Sequence, residues 1–233
     1  MKKDLKEFFI KKSTKQGDNM SKFKLTIFDM DGTLLKEKGI FVIAEKKGFK
    51  DKLINILRND SMEFYKRSIE VAKLLKGQNK KEFLDIFRTV PFQDNIKDIV
   101  NELRKKHIKT AIATDSYQFL ADDLKQRLGI DYAFANNLIT NDGIITGELV
   151  IHNKNLLKDF NGRIYSICKS HVLEQLCNNL GITVNEAIAV GDGRVDIGMI
   201  KKAGLGIAFN ALDEVKSHAD IVTNNLDIIL KYI

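Results

Sequence analysis

The run Leu25-Thr26-Ile27-Phe28 is apolar and β-prone, and it stops at two aspartates, Asp29 and Asp31, separated by one residue. Gly32-Thr33 follows and breaks the strand. In an open α/β sheet, ligands bind beyond the carboxyl ends of the strands, so this junction is where a site belongs. Two carboxylates so close repel each other, and a divalent cation or a retained proton relieves the repulsion. Both circumstances suit phosphoryl transfer, with one carboxylate as nucleophile and its neighbour as general acid and base.

The rest of the chain alternates between helical and strand patterns. Residues 36–89 are charged and helix-favouring, punctuated at Gly48, Asn59-Asp60-Ser61 and Gly77-Gln78-Asn79 and closed by Pro91, the only proline. They read as a small helical module inserted after the first strand. Downstream, the pattern predicts a helix over 94–106, a strand over 108–114, a helix over 118–128 ended by Gly129, and a short strand over 132–135. A β-hairpin over 138–151 with Asp142-Gly143 at its turn comes next. A helix over 169–180, a strand over 186–190, a helix over 195–203 and a strand over 205–209 follow. A short helix over 214–218, a strand over 220–222 and a C-terminal helix complete the reading. Strands alternating with helices predict an α/β fold with a doubly wound parallel sheet, a helical insert and a β-hairpin. Neither a G-x-G-x-x-G after the first strand nor a G-x-x-x-x-G-K-[ST] occurs, which disfavours dinucleotide binding and P-loop chemistry.

Further chemistry-bearing residues fall at strand ends or a helix start. Thr114 ends the second strand, Asp192 ends a later one in Ala-Val-Gly-Asp-Gly, and Lys169 opens the helix before it. With Asp29 and Asp31 they supply a nucleophile, a proton carrier, a hydroxyl, a cation and a metal carboxylate. Transfer of a phosphoryl dianion needs that set, for charge neutralisation and positioning.

The D-x-D-G-T stretch and these downstream positions resemble the motifs of the haloacid dehalogenase-like phosphohydrolases, nearest to the phosphoserine phosphatase-like branch. The resemblance covers most of residues 24–233. It implies a Rossmann-like core over 23–35 and 90–233, a helical cap over 36–89, and an N-terminal basic extension over 1–22. It implies that Asp29 forms an aspartyl-phosphate and that Asp31 serves as acid, then base. Thr114 and Lys169 would hold phosphate oxygens, with Asp115 beside them at the phosphate site. Mg²⁺ would be bound by Asp29, Asp192 and the backbone carbonyl of Asp31, with Asp196 binding it or orienting its shell. An all-oxygen set suits Mg²⁺ rather than zinc.

The sequence departs from that branch in places. Where the branch has G-D-G-x-N-D, this chain has Val195 in place of the asparagine. Where the branch has Ser-Gly-Gly-Phe, this chain has Thr114-Asp115-Ser116-Tyr117. The glutamate that takes the serine amine at the cap entry aligns with Lys38, although Glu37 is adjacent. The cap arginine that takes the serine carboxylate aligns near Val71, and the nearest arginine is Arg67. Losing an amine acceptor and gaining a cation disfavours a zwitterionic head group, so Lys38 is the candidate substrate-selecting residue, pointing to an acidic or polyphosphorylated substrate. The expectation is a Mg²⁺-dependent phosphatase acting on a small-molecule phosphomonoester. Two alternatives stay open: a phosphoserine phosphatase with rearranged cap residues, and a catalytically weak phosphate-binding or regulatory protein.

Charge does not argue for nucleic acid. The net charge is +7, but residues 1–24 hold eight lysines against three acids, so the body is nearly balanced. No basic–aromatic stripe is present and tryptophan is absent. No apolar run approaches membrane-spanning length, and the charged N-terminus lacks the apolar centre of a signal peptide. Cys168 and Cys177 fit neither a metal spacing nor a disulfide framework. These features predict a cytoplasmic protein that binds neither nucleic acid nor membrane.

Overall fold

The computed structural model describes residues 21–233, so the basic extension read over 1–22 lies almost wholly outside the described residues. A seven-stranded sheet forms the centre, in the order β4-β3-β2-β1-β5-β6-β7. Its strands are β1 (Leu25–Phe28), β2 (Lys109–Tyr117), β3 (Tyr132–Asn141), β4 (Ile144–Val150), β5 (Ala187–Gly191), β6 (Leu205–Phe209) and β7 (Ile221–Thr223). All neighbouring pairs are parallel except β3 and β4.

Alternation along the strands explains the double winding. Leu25 and Ile27 of β1, Ala111 and Ala113 of β2, and Ala187 and Ala189 of β5 share one face. Phe28, Ile112, Ile188 and Val190 share the other. The alanine-rich face admits α7 (Lys169–Leu180) and α8 (Ile197–Lys202), which contribute Val172, Leu173, Leu176 and Met199. The bulkier face is covered by α5 (Ile96–Lys105) and α6 (Gln118–Leu128) through Ile99, Val100, Leu103, Leu120 and Leu124. Each such fully buried side chain contributes about 1.5–3 kcal/mol of transfer free energy.

Between β1 and α5 lie four helices: α1 (Gly39–Lys47), α2 (Lys50–Leu57), α3 (Phe64–Leu74) and α4 (Lys80–Phe87). They break where the sequence predicts, at Gly48 with φ 75°, around 58–63 and around 75–79. The chain enters and leaves this insert side by side. Lys36 N donates to the Pro91 carbonyl at 2.9 Å, and Gln93 N donates to Leu34 O at 2.9 Å.

Several elements differ from the sequence reading. β2 does not stop at Thr114 but continues to Tyr117, with a register shift against β3 between Ala113 and Tyr117. The strand at 132–135 and the first hairpin arm fuse into one strand, because Asn136 is buried with its side chain fully bonded rather than lying in a turn. Its Nδ2 donates to Asp115 O at 2.7 Å and to Ser166 Oγ at 2.9 Å, and its Oδ1 accepts from His152 N at 2.9 Å. The helix after β5 begins as a 3₁₀ turn over Arg194–Asp196, and the expected C-terminal helix is a 3₁₀ segment over Leu226–Lys231. The short helix after β6 is α9 (Asp213–Lys216). No helix among the described residues is long and apolar enough to cross a membrane.

Candidate active site

The turn after β1 presents both aspartates. Leu34 and Leu35 both donate their amides to Met30 O, and Gly32 donates to Leu35 O at 3.0 Å, closing a tight loop. Gly32 has φ +94°, and a Cβ there would sit 2.7 Å from an Asp192 carboxylate oxygen, so the turn and the approach of β5 both need glycine. The Gln93 side chain donates to the carbonyls of Gly32 and Leu35, each at 3.3 Å, and fastens the loop from the far side of the insert.

Asp31 reaches the first turn of α1, where its Oδ1 accepts from Gly39 N at 2.6 Å. A side chain at Gly39 would meet the Phe87 ring at 2.8 Å, so the close approach of amide to carboxylate depends on this residue. Burial, with the negative charges of Asp29 and Asp115, pushes the Asp31 carboxyl up to about 7, although the Gly39 bond works the other way.

Lys169 opens α7 and is buried at the centre of the site. Its Nζ donates to Asp29 Oδ1 at 2.5 Å and to Asp196 Oδ1 at 2.6 Å. Burial works against its charge, but Asp196, Asp29 and Asp115 outweigh that and keep it an ammonium. Asp196 Oδ2 accepts from Asp192 N at 3.1 Å and from Gly193 N at 2.9 Å. This carboxylate thus ties the loop after β5 to the lysine. Burial and the charges of Asp29 and Asp196 push the Asp192 carboxyl up to about 8, against the pull of Lys38 and Lys169.

The acids line one cavity of about 170 Å³, with Lys169 buried behind Asp29 and Asp196. Its core side carries Asp29, Asp31, Asp115, Ser116, Asp192 and Asp196. Its insert side is Lys38, Ile40, Phe41, Leu53, Leu57, Ser68 and Val71. Thr114 is fully buried at the same strand end, its Oγ1 accepting from Ser116 N at 3.2 Å, and Asp115 and Ser116 form the adjoining wall. Lys38 faces the acids. Burial disfavours its charge, but Asp192, Asp115, Asp29 and Asp31 together hold the ammonium above its ordinary value.

The profile of the haloacid dehalogenase-like hydrolases matches residues 23–204. This chain is a haloacid dehalogenase-like hydrolase. Within the family it lies on the phosphoserine phosphatase-like branch, which makes it a phosphomonoester hydrolase. A phosphoserine phosphatase of Methanocaldococcus jannaschii is 32% identical over 217 residues, covering 91% of this chain and 98% of that protein. One of Archaeoglobus fulgidus is 33% identical over 201 residues, covering 84% of this chain, which spans 55% of that longer relative. Among solved structures, a phospho-aspartyl intermediate analogue of phosphoserine phosphatase superposes with a TM-score of 0.77 at 31% identity, covering 91% of this chain and 99% of its own.

Haloacid dehalogenase-like phosphatases generally use Mg²⁺, and the donor set here fits it. One carboxylate oxygen from each of Asp29, Asp192 and Asp196 lies within 4.8 Å of the others, and all are hard oxygen donors. Burial, with the like charges of Asp29 and Asp196, raises the Asp192 carboxyl, and a divalent cation relieves that cost. The Asp31 carboxylate is not part of this oxygen group. The hydrolase therefore brings together Asp29, Asp31, Lys38, Asp115, Lys169, Asp192 and Asp196 in or around one cavity, with Thr114 buried behind its wall. Sequence reading missed Gly39 as the amide donor to Asp31, Gln93 as the clasp on the turn, and Asn136 under Asp115. The glycine at the start of a helical pattern was the one available signal.

Proposed function

We propose that this hydrolase cleaves a small-molecule phosphomonoester with Asp29 as nucleophile, and that helices α1–α4 act as a cap closing over it. The observation that carries the reading is the buried Lys169 bridging Asp29 and Asp196, with Asp31 opening on the same cavity. The ammonium orients the Asp29 carboxylate for attack on phosphorus. Asp31, with its carboxyl near neutrality, gives its proton to the departing alcohol oxygen. It then accepts a proton from the water that cleaves the aspartyl-phosphate, and inorganic phosphate leaves. Lys169 faces the phosphate oxygens, with Asp115, Ser116 and the Thr114 strand end shaping that side. When bound by Asp29, Asp192, the Asp31 carbonyl and Asp196 or its shell, Mg²⁺ supplies charge neutralisation for the phosphoryl oxygens.

A binding or regulatory protein has no use for a buried acid held near neutrality beside a second carboxylate, so retention of Asp31 favours catalysis. Phosphate release from a panel of phosphomonoesters, including p-nitrophenyl phosphate, with and without Mg²⁺ tests the reading. Release that requires Mg²⁺ and falls by at least about 1,000-fold in Asp29→Asn supports it. Release unchanged in that variant overturns the assignment of the nucleophile.

A further inference from the structure

The insert side of the cavity is chemically one-sided. Five of its residues are apolar (Ile40, Phe41, Leu53, Leu57 and Val71), and the polar ones are Ser68 and Lys38. No carboxylate and no guanidinium from the insert lines it. Arg67 stands one turn of α3 from Val71, but its side chain is nearly buried and committed elsewhere. Its Nε donates to Met62 O at 3.0 Å and its Nη1 to Leu57 O at 2.8 Å, and Nη2 lies 3.4 Å from Asp60. Its face stacks on Phe64, 4.5 Å from the ring centroid. It holds the α2–α3 connection together and does not line the cavity. Ser68 is likewise engaged, through a 3.1 Å bond to Ser166 Oγ.

Lys38, the one charge on that wall, faces Asp192, Asp115, Asp29 and Asp31 across the cavity, so its ammonium is directed at the core acids rather than along the apolar insert wall. Its presence does repel a second ammonium. An ammonium on the leaving group would find no acceptor on this wall, and a carboxylate would lose its water against five apolar side chains. A cavity of about 170 Å³ that also holds the phosphate encloses only a short stretch of the leaving group. An apolar cavity of roughly 150 Å³ takes a single benzene.

Resting on the phosphatase reading above, we propose that the alcohol released is small, uncharged and mainly apolar, and that Lys38 is the residue that excludes amino-bearing esters. The carboxylate-bearing and zwitterionic esters are then poor substrates for want of polar partners on α2 and α3.

Non-hydrolysable phosphonates test this independently of turnover. Titration calorimetry in Mg²⁺ buffer would compare butylphosphonate, 3-aminopropylphosphonate, 4-phosphonobutyrate and 2-amino-4-phosphonobutyrate. The expected result is butylphosphonate binding at least about tenfold more tightly than any of the three charged compounds. In Lys38→Glu, the ratio between butylphosphonate and 3-aminopropylphosphonate should shift by at least about tenfold toward the amine. Circular dichroism on the variant confirms that it is folded. Equal or tighter binding of a charged compound overturns the proposal, as does no binding by any of the four. An unchanged ratio in Lys38→Glu overturns the role given to that lysine. A protein that keeps this binding order yet releases no phosphate from any ester would count against the nucleophile assignment alone.

Discussion

Asp192 is a carboxyl buried among like charges. Asp29 and Asp196 face it as like charges, with Lys38 and Lys169 as partial compensation. In an unfolded chain such a carboxyl ionises near about 3.9. In the folded protein its value is about 8, so between these limits the folded state holds the extra proton. Stability therefore falls as pH rises through that window. In the presence of a chelator, the melting temperature should drop steadily between about pH 5 and pH 8. Asp192→Asn should melt higher at pH 8 and show a shallower slope, the remainder coming from Asp31 and Asp196, whose carboxyls are also raised. Added Mg²⁺ should stabilise the parent increasingly as pH rises, because binding needs the ionised form. Scanning calorimetry across pH reads all three, and a slope unaltered by Asp192→Asn would refute the account.

Among the elements, those defined by local pattern were legible in the sequence. The β1 turn, the helix opened by Lys169 and the loop after β5 are written in contiguous motifs, and the structure gathers them beyond the carboxyl ends of the central strands β1 and β5. What was not legible depends on segments far apart in the chain. Asn136 and Asn137 fell between a strand read over 132–135 and a hairpin read over 138–151, yet Asn136 becomes an interior strand residue because partners at Asp115, His152 and Ser166 satisfy its amide. Arg67 was legible only as the arginine nearest the position that aligns near Val71, and only the fold reveals that Leu57 and Met62 take its hydrogen bonds. That gives α3 a clear prediction. Arg67→Ala should cost about 1–3 kcal/mol in urea unfolding by stranding two carbonyls, while KM changes by no more than a few-fold. A large rise in KM with little loss of stability would put the guanidinium back in the substrate site.

At the scale of the whole molecule, functional division and cooperative folding diverge. The insert moves the chain away from the sheet for more than fifty residues, and its two connections cross side by side at Leu34–Lys36 and Pro91–Gln93. Yet one hydrophobic cluster runs from Phe28 and Ile112 in the sheet into Ile43, Leu53, Phe83 and Phe87 of the insert. The loop before α4 is also tied to the hairpin, with Gly77 N donating to Ile145 O and Lys80 N to Gly143 O, both at 2.8 Å. Helices of eight to eleven residues are marginal in isolation, so these four borrow most of their stability from that shared interior. The insert should therefore act as a cap without folding alone. Urea unfolding is expected to give one transition, coincident by far-ultraviolet circular dichroism and by tyrosine fluorescence. Phe87→Ala removes a fully buried ring from the seam and should lower stability by about 3–5 kcal/mol, moving both signals together. Two separated transitions, with Phe87→Ala shifting only the first, would instead make the insert an independent folding unit whose docking on the sheet is the weaker step.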